Sequence, residues 1–138
     1  MRRVVLDTKV IVSGIVFGGV AEQILECVYA RTVIAVTSPA LIEELLRVLR
    51  QKFSFGGETL AVIQKRMSRT FTIVVPRDRL RVLADEADNR VLEAAVEGTC
   101  EIIVTGDKKF LDLRLFRDIA ILSPRAFYEL TEKELNAP

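Results

Sequence analysis

Histidine is absent from the 138-residue sequence, and cysteine occurs only twice, at Cys27 and Cys100. Without histidine, the chain has neither a Ser–His–Asp nor a Cys–His catalytic group, and it has no imidazole pair for acid–base catalysis. Two cysteines in no metal-like spacing predict neither a zinc site nor a disulfide scaffold, so we expect two free thiols. If the protein is an enzyme, carboxylates with a hard metal ion are the leading candidates for its chemistry.

The sequence also lacks an excess of charge of either sign, because its formal net charge is +1. Any nucleic-acid binding must therefore depend on a local basic patch rather than on composition. No apolar run is long enough to span a membrane, and Asp7 interrupts the first run too early for a secretory leader, so we expect a cytoplasmic protein without a membrane segment. The length predicts one domain over residues 1–138, with a frayed tail from about residue 132.

What the sequence does contain is an alternation of β-branched apolar runs with segments of helical periodicity. This alternation predicts an α/β fold, in which a central, mostly parallel sheet of four to five strands carries helices on both faces. The predicted strands are RRVVLD, TVIAVTS, FTIVVP, EIIVTGD and an edge strand, IAIL. The predicted helices cover residues 20–31, 38–53, 58–70, 88–98 and 123–135, with a short helical turn over residues 108–114.

Acidic residues stand where two of these strands end. Asp7 follows the first strand, and Asp107 follows the fourth. Because ligands of such sheets bind beyond the carboxyl ends of the strands, we expect both side chains in one crevice. Asp88 stands at the start of a predicted helix, where it either joins the crevice or serves as a plain helix cap. Asp7 is the strongest candidate, since a carboxylate at the end of a buried strand needs a partner.

The predicted helix over residues 38–53 offers a further acid. Its apolar residues share one broad face when successive residues are placed about 100° apart around the axis. Glu43 falls on the polar face, one turn before Arg47, whereas Glu44 falls at the border of the apolar face. Glu44 is therefore the acid that is better placed to reach the crevice, and a solvated boundary position is the alternative.

Clustered carboxylates raise one another's pKa values unless a cation neutralises them. Mg²⁺ and Mn²⁺ bind oxygen ligands, and such an ion can polarise a phosphoryl oxygen or generate hydroxide. The four acids therefore predict a metal-dependent site for phosphoryl transfer or hydrolysis. They are Asp7, Glu44, Asp88 and Asp107.

Four segments in this order, VVLDTKVIVSG, TSPALIEELLRVL, DEADNRVLEAA and IIVTGDKKFLDL, resemble the PIN-domain family, and more closely its toxin-like branch in bacterial and archaeal toxin–antitoxin systems. The resemblance runs from Arg3 to about Leu130. It implies a three-layer Rossmann-like fold, a ribonuclease that uses Mg²⁺ or Mn²⁺, a homodimer and a cognate antitoxin protein. The family's metal-binding and catalytic acids match Asp7, Glu44, Asp88 and Asp107, and Thr105 matches a hydroxyl residue that accompanies the fourth acid.

Two lysines depart from the family pattern. Lys9 stands where the family usually has Asn, Ser or Thr, and Lys109 stands where relatives often carry an acid. A protonated ammonium cannot ligate a metal. The departures leave open a second function, a PIN domain that binds RNA or a partner protein without cleaving RNA. A metal-dependent phosphatase of the haloacid-dehalogenase type is a weaker alternative, because Lys9 replaces the second acid of its nucleophile motif.

The position of Lys9 depends on where the first strand ends. If the strand continues past Asp7, the two side chains share a face by the period of two, and the ammonium competes with a metal ion. If the chain has already turned, Lys9 points into solvent.

Basic and apolar side chains provide candidate contacts for partners. RNA would be bound electrostatically by Arg47, Lys108 and Lys109, whose alternative is a solvated helix face. A group of apolar residues around the break after residue 53 either forms a subunit or antitoxin contact or closes the core. The group consists of Phe53, Phe55, Leu60, Ile63 and Met67.

Overall fold

The computed structural model describes residues 1–137 and has a six-stranded sheet at its centre. The strands are β1 (Arg3–Leu6), β2 (Ile34–Thr37), β3 (Thr72–Ile73), β4 (Ile102–Val104), β5 (Leu115–Phe116) and β6 (Ile119–Leu122). The helices are α1 (Thr8–Val16), α2 (Gly19–Tyr29), α3 (Pro39–Phe53), α4 (Gly57–Thr70), α5 (Glu86–Glu97), α6 (Lys108–Leu111) and α7 (Pro124–Leu135).

The order of the strands across the sheet is β3-β2-β1-β4-β6-β5, and all neighbours are parallel except β5 and β6. The chain moves outward from β1 to β2 and β3, and it then returns to the other side of β1 with β4. The direction of winding therefore reverses between β1 and β4, whose carboxyl ends lie side by side where Leu6 pairs with Val104. Such a switch point is the usual place for a ligand in an open α/β sheet.

Two apolar cores lie on the two faces of the sheet. Along β1, Val4 and Leu6 belong to one core, and Val5 belongs to the other. The first core takes side chains from α1, α2, α3, α4 and α7, whereas the second is covered mainly by α5 and α6. Strands buried on both faces read as continuous apolar runs, which explains the β-branched segments of the sequence. The predicted α/β architecture with helices on both faces is confirmed.

The number and order of the strands differ from the prediction in detail. The segment IAIL forms β6, which is an interior strand between β4 and β5 rather than an edge. The edge strand β5 has only two residues and pairs antiparallel with β6. The segment FTIVVP contributes only Thr72 and Ile73 as strand, because its partner β2 ends at Thr37, opposite Ile73. Elements of two residues have no periodicity to detect, so six strands replace the expected four to five.

The largest difference is α1, because the sequence pattern predicts no helix before residue 20. The segment Thr8–Val16 is rich in β-branched residues, which favour strands in isolation. It is nevertheless helical, since β1 ends at Leu6 and the carbonyl oxygen of Asp7 accepts from the N–H of Val10 at 2.9 Å. The idea that Asp7 and Lys9 share a strand face is therefore wrong. Lys9 lies in the first turn of α1 and is exposed.

Two glycines with positive φ angles, Gly18 at φ 83° and Gly19 at φ 71°, stand at the junction of α1 and α2. Residues other than glycine rarely adopt such angles, so the pair allows the sharp bend into α2. Within residues 1–137, no single helix is long and apolar enough to cross a membrane; α1 and α2 reach that length and composition only together, across a bend of 101°.

The apolar group around residues 53–67 packs on the first core. Leu60 and Met67 are buried there, and Phe53, Phe55 and Ile63 are half-buried against it. Core closure, the alternative to a partner contact, therefore accounts for Leu60 and Met67, whereas Phe53, Phe55 and Ile63 keep part of their surface exposed.

One further helix boundary differs from the sequence pattern, and another agrees with it. The helix α5 begins at Glu86 rather than at residue 88, because Asp85 caps it. The helix α7 ends at Leu135, where the predicted helix over residues 123–135 also ends, and Pro138 of the tail lies outside the described residues.

Gly14 lies where α1 contacts α2. A Cβ atom at Gly14 would stand 2.6 Å from Cδ1 of Leu25 and 2.9 Å from the carbonyl oxygen of Ala21. We expect Gly14→Ala to lower the free energy of unfolding by about 1–3 kcal/mol, because the backbone of Ala21 yields only if α2 moves. Urea unfolding measures the change. Gly57→Ala is the matched control, since no atom lies within 4 Å of a Cβ there, and we expect it to be neutral or slightly stabilising. An unchanged midpoint for Gly14→Ala would contradict a tight contact.

Candidate active site

The carboxylate of Asp7 is buried at the carboxyl end of β1. Its side chain is only 6% exposed, and the hydroxyl of Thr105 donates to its Oδ2 at 2.7 Å. Thr105 follows β4 and is fully buried, and its Oγ1 also accepts from the backbone N–H of Asp107 at 3.1 Å. One hydroxyl therefore joins the acid after β1 to the acid after β4.

Asp107 is half-buried and caps the short helix α6. Its Oδ1 accepts from the backbone N–H of Lys109 at 3.2 Å. The side chains of Lys108 and Lys109 are exposed. The contact between Lys109 and the fourth acid is thus made by the backbone N–H of Lys109, which any residue except proline can supply.

Glu44 reaches the same region from α3. Its side chain is half-buried, whereas Glu43 is exposed. The hydroxyl of Thr8, the first residue of α1, donates to Oε2 of Glu44 at 3.1 Å. This bond ties α3 to α1 at the residue directly after Asp7. Arg47, one turn further along α3, is exposed and donates to Gln51 at 3.4 Å.

Asp88 lies in the first turn of α5 and is 8% exposed. It is not the cap of this helix, because Oδ1 of Asp85 accepts from the N–H of Ala87 at 2.9 Å. The plain cap reading of Asp88 is therefore wrong. A buried carboxylate that does not cap its helix needs another explanation.

The electrostatics of Asp7 and Asp88 show that the crevice is crowded with negative charge. The pKa of Asp88 is raised to about 7, first by burial and then by the charges of Asp7, Asp85 and Asp107, while Lys9 opposes the rise. Burial also raises the pKa of Asp7, and nearby Glu44 adds to this effect. The hydrogen bond from Thr105 and the charge of Lys9 act in the opposite direction and lower the pKa of Asp7, but the pKa remains raised.

Comparison with known proteins identifies the family of the chain. The family description "PIN domain" (PIN_3) matches residues 3–109, which is more than half of the chain and includes all four acids. The chain belongs to the PIN-domain family. PIN domains are typically nucleases that act on nucleic acids, and PIN nucleases generally use divalent metal ions.

Two individual relatives extend the comparison. The structure of the PIN domain endonuclease Utp24 superposes with a TM-score of 0.51 over 88% of this chain and 84% of that chain, and at 20% identity it supports the fold alone. The uncharacterized protein MJ1680 of Methanocaldococcus jannaschii is 29% identical over 117 residues, which cover 81% of this chain and 75% of that protein.

The donor set of this PIN domain fits a hard divalent cation. Carboxylate and hydroxyl oxygens are the ligands that Mg²⁺ and Mn²⁺ prefer, and a cation would offset the repulsion that raises the pKa of Asp88. Among residues 1–137, however, no three acidic or cysteine side chains stand close enough together to hold a metal ion. The acids of the expected crevice thus act on one another electrostatically, but they do not form a coordination shell within the described residues.

The sequence reasoning missed the residues that place Asp88. Asn89 is fully buried, and its Oδ1 accepts from the N–H groups of Val82 at 3.1 Å and Leu83 at 2.8 Å, while its Nδ2 donates to the carbonyl oxygen of Leu83 at 2.8 Å. These three bonds fasten the irregular segment before α5 to the first turn of that helix.

A second group of hydrogen bonds to the same irregular segment lies one turn further along α5. Oε2 of Glu93 accepts from the N–H of Leu80 at 2.8 Å and from Arg90 at 2.8 Å. Arg90 also donates to the carbonyl oxygen of Leu80 at 3.3 Å. One sequence signal exists for these residues, because Asn89 and Glu93 are four apart on an otherwise apolar helix face.

We expect Asp88→Asn to stabilise the metal-free protein at high pH. The folded-state pKa of Asp88, about 7, lies above the ordinary value of 3.8. Ionisation therefore favours the unfolded state, so the stability that is present below about pH 4 is lost as the pH rises through 7. In chelator at pH 8, the variant should unfold at a higher temperature than the parent, and the gap should close towards pH 4.

Thermal unfolding at several pH values measures this difference. Asp78→Asn is the control, because Asp78 is exposed on the segment before α5. Its substitution should leave the dependence of the unfolding temperature on pH unchanged. An Asp88→Asn variant that is no more stable than the parent at pH 8 would mean that burial and the neighbouring acids together do not raise the pKa of Asp88. Some pH dependence should remain in the variant, because the raised pKa of Asp7 acts in the same direction.

Proposed function

We propose that this PIN domain is an endoribonuclease that hydrolyses RNA phosphodiester bonds with Mg²⁺ or Mn²⁺. The principal support is the arrangement at the switch point of the sheet. There, one buried hydroxyl, that of Thr105, joins Asp7 and Asp107. The charges of these two acids raise the pKa of Asp88, and the charge of Glu44 raises the pKa of Asp7. Membership of the nuclease family adds the reaction class.

Asp7 and Asp107 are the proposed ligands of the ion, and Glu44 and Asp88 complete the site directly or through water. One of these carboxylates can instead orient the attacking water. When bound, the ion supplies Lewis-acid polarisation of a phosphoryl oxygen and lowers the pKa of a bound water. The chain itself contributes orientation, because Thr105 fixes the rotamer of Asp7 through the 2.7 Å bond and Thr8 holds Glu44.

RNA is the proposed substrate, and exposed cations around the crevice are its proposed electrostatic contacts. Arg47 lies on α3 one turn after Glu44, and Lys108 and Lys109 directly follow Asp107. Cations on a nearly neutral protein act as a local patch that attracts the phosphate backbone.

The proposal extends to the branch of the PIN-domain family, to the partners of the protein and to its location. The four motif segments support the toxin-like branch of the family, and with it a cognate antitoxin protein, a homodimer and a cytoplasmic location. The support for this assignment is the order and spacing of the motifs.

The second candidate function is a PIN domain that binds RNA or a partner protein without cleavage. One observation favours it: the positive charge of Lys9 acts on both Asp7 and Asp88, and it opposes the electrostatic demand for a metal ion. The test of cleavage below separates the two functions.

Cleavage of single-stranded RNA by the purified chain in Mn²⁺ tests the nuclease directly. We expect cleavage that stops in chelator, and a rate at least about a hundredfold lower for Asp7→Asn, the scale of losing one electrostatic contact to the transition state. Glu44→Gln should also lose activity, whereas Glu43→Gln on the same helix should retain it, because Glu43 is exposed. Full-rate cleavage in chelator would contradict the metal mechanism, and RNA binding without cleavage would favour the second function.

Replacement of Lys9 tests its competition with the ion. Lys9→Asn removes a positive charge that acts on Asp7 and Asp88, so we expect Mn²⁺ to bind roughly fivefold more tightly, which corresponds to about 1 kcal/mol for one solvent-exposed charge. Titration calorimetry measures the affinity. Lys133→Asn, at an exposed position on α7, is the control. If Lys9→Asn binds Mn²⁺ no better than the parent, Lys9 does not compete with the ion.

A further inference from the structure

We propose that the groove between α1 and α3 binds single-stranded RNA next to the acidic crevice, with the ring of Phe17 as the surface on which a base stacks. The inference rests on the proposed function, because it names the part of the molecule that would hold the substrate beside the scissile phosphate.

The groove begins at the crevice and runs away from it along α1. It encloses a volume of about 340 Å³. Thr8 and Glu44, which share a hydrogen bond of 3.1 Å, line its inner end, and Phe17, Lys52 and Phe53 line its outer end. At a rise of 1.5 Å per residue, the helix spans about 14 Å from Thr8 to Phe17, enough for a short run of nucleotides. A strand in this groove therefore reaches the residue next to Asp7.

The charge of the groove selects an anionic occupant. Lys9, Arg47 and Lys52 line it, against the single acid Glu44. In the part of the chain that the structure describes, none of these three cations forms an ion pair, and Arg47 donates only to the neutral side chain of Gln51. Cations without anionic partners are available to phosphates.

The aromatic end of the groove distinguishes RNA from an acidic peptide. Phe17 is 74% exposed, although an exposed ring of this size is unfavourable in water. It contacts Phe53 edge-to-face, with ring centroids 5.8 Å apart and planes at 77°. Exposed rings interleaved with cations are the pattern by which proteins bind single strands, since bases stack on the rings and phosphates pair with the cations. An acidic peptide would use only the cations.

Tryptophan at position 17 provides a direct readout, because the chain has no tryptophan of its own. We expect the emission of the Phe17→Trp variant to be quenched by an oligouridylate, and to be unaffected by an abasic oligonucleotide of the same length. All titrations are done in chelator, so that no cleavage occurs. Phe17→Ala should bind the oligouridylate roughly tenfold more weakly, as expected for the loss of one stacked base. Leu115→Ala is the matched control, because Leu115 is 59% exposed and lies on the edge strand β5.

The cations of the groove have a separate readout. Lys52→Ala should reduce the slope of log affinity against log salt by about 0.7, the value for one phosphate contact to a single strand. Lys133→Ala on α7 should leave that slope unchanged.

Two results would overturn the inference. In the first, Phe17→Ala binds the oligouridylate as tightly as the parent. In the second, a polyglutamate peptide displaces the oligouridylate and gives the same quenching in Phe17→Trp, which would make the groove a peptide-docking surface. The nuclease and the RNA groove can be contradicted separately. Cleavage without base-dependent quenching would support the nuclease and contradict the RNA groove. Quenching without cleavage would support the groove and contradict the nuclease.

Discussion

The burial of carboxylates close to other acids is the constraint on which the candidate site of this PIN domain depends. Asp7 and Asp88 are buried close enough to other acids that burial and like charge raise their pKa values. Three acids of the crevice stand at the N-terminal ends of helices, where unpaired N–H groups and the helix dipole favour negative charge. Asp7 precedes α1, Asp88 lies in the first turn of α5, and Asp107 precedes α6. The fold thus places negative charge where the backbone itself partly offsets it.

Two sets of hydrogen bonds hold these acids in place from opposite sides. On the sheet, Thr105 donates to Asp7 and accepts from the N–H of Asp107, so the two central strands share one buried polar link. On α5, Asn89 and Glu93 bind the backbone of the preceding segment and thereby hold that segment against the first turns of the helix. Loss of either set would leave buried polar groups without partners, which costs more than the bond contributes when it is present.

The sequence predicts the parts of this arrangement that depend on local pattern. Continuous apolar runs mark β1 and β4 as strands buried on both faces, so the acids that follow them, Asp7 and Asp107, are predicted at the edge where a ligand binds. Helical periodicity also separates Glu44 from Glu43, whose exposures differ in the structure.

The rest depends on tertiary contacts that no local pattern contains. The β-branched segment Thr8–Val16 is helical because α2 and α3 pack against it, which overrides its strand propensity. The positions of Asn89, Arg90 and Glu93 acquire their role only from the irregular segment that they bind. Such segments have no period, so sequence patterns cannot indicate which backbone groups need partners.

Lys9 shows how one such contact changes the meaning of a residue. On a strand, its ammonium would lie on the same face as Asp7. In the first turn of α1 it occupies the positive end of a helix dipole, where a cation costs about 0.3–1 kcal/mol relative to a neutral residue. That local cost is offset because the same charge lowers the raised pKa values of Asp7 and Asp88. Lys9 also lines the groove between α1 and α3. The ammonium of Lys9 therefore acts on the acids of the candidate site and is also one of the cations that line the proposed RNA groove.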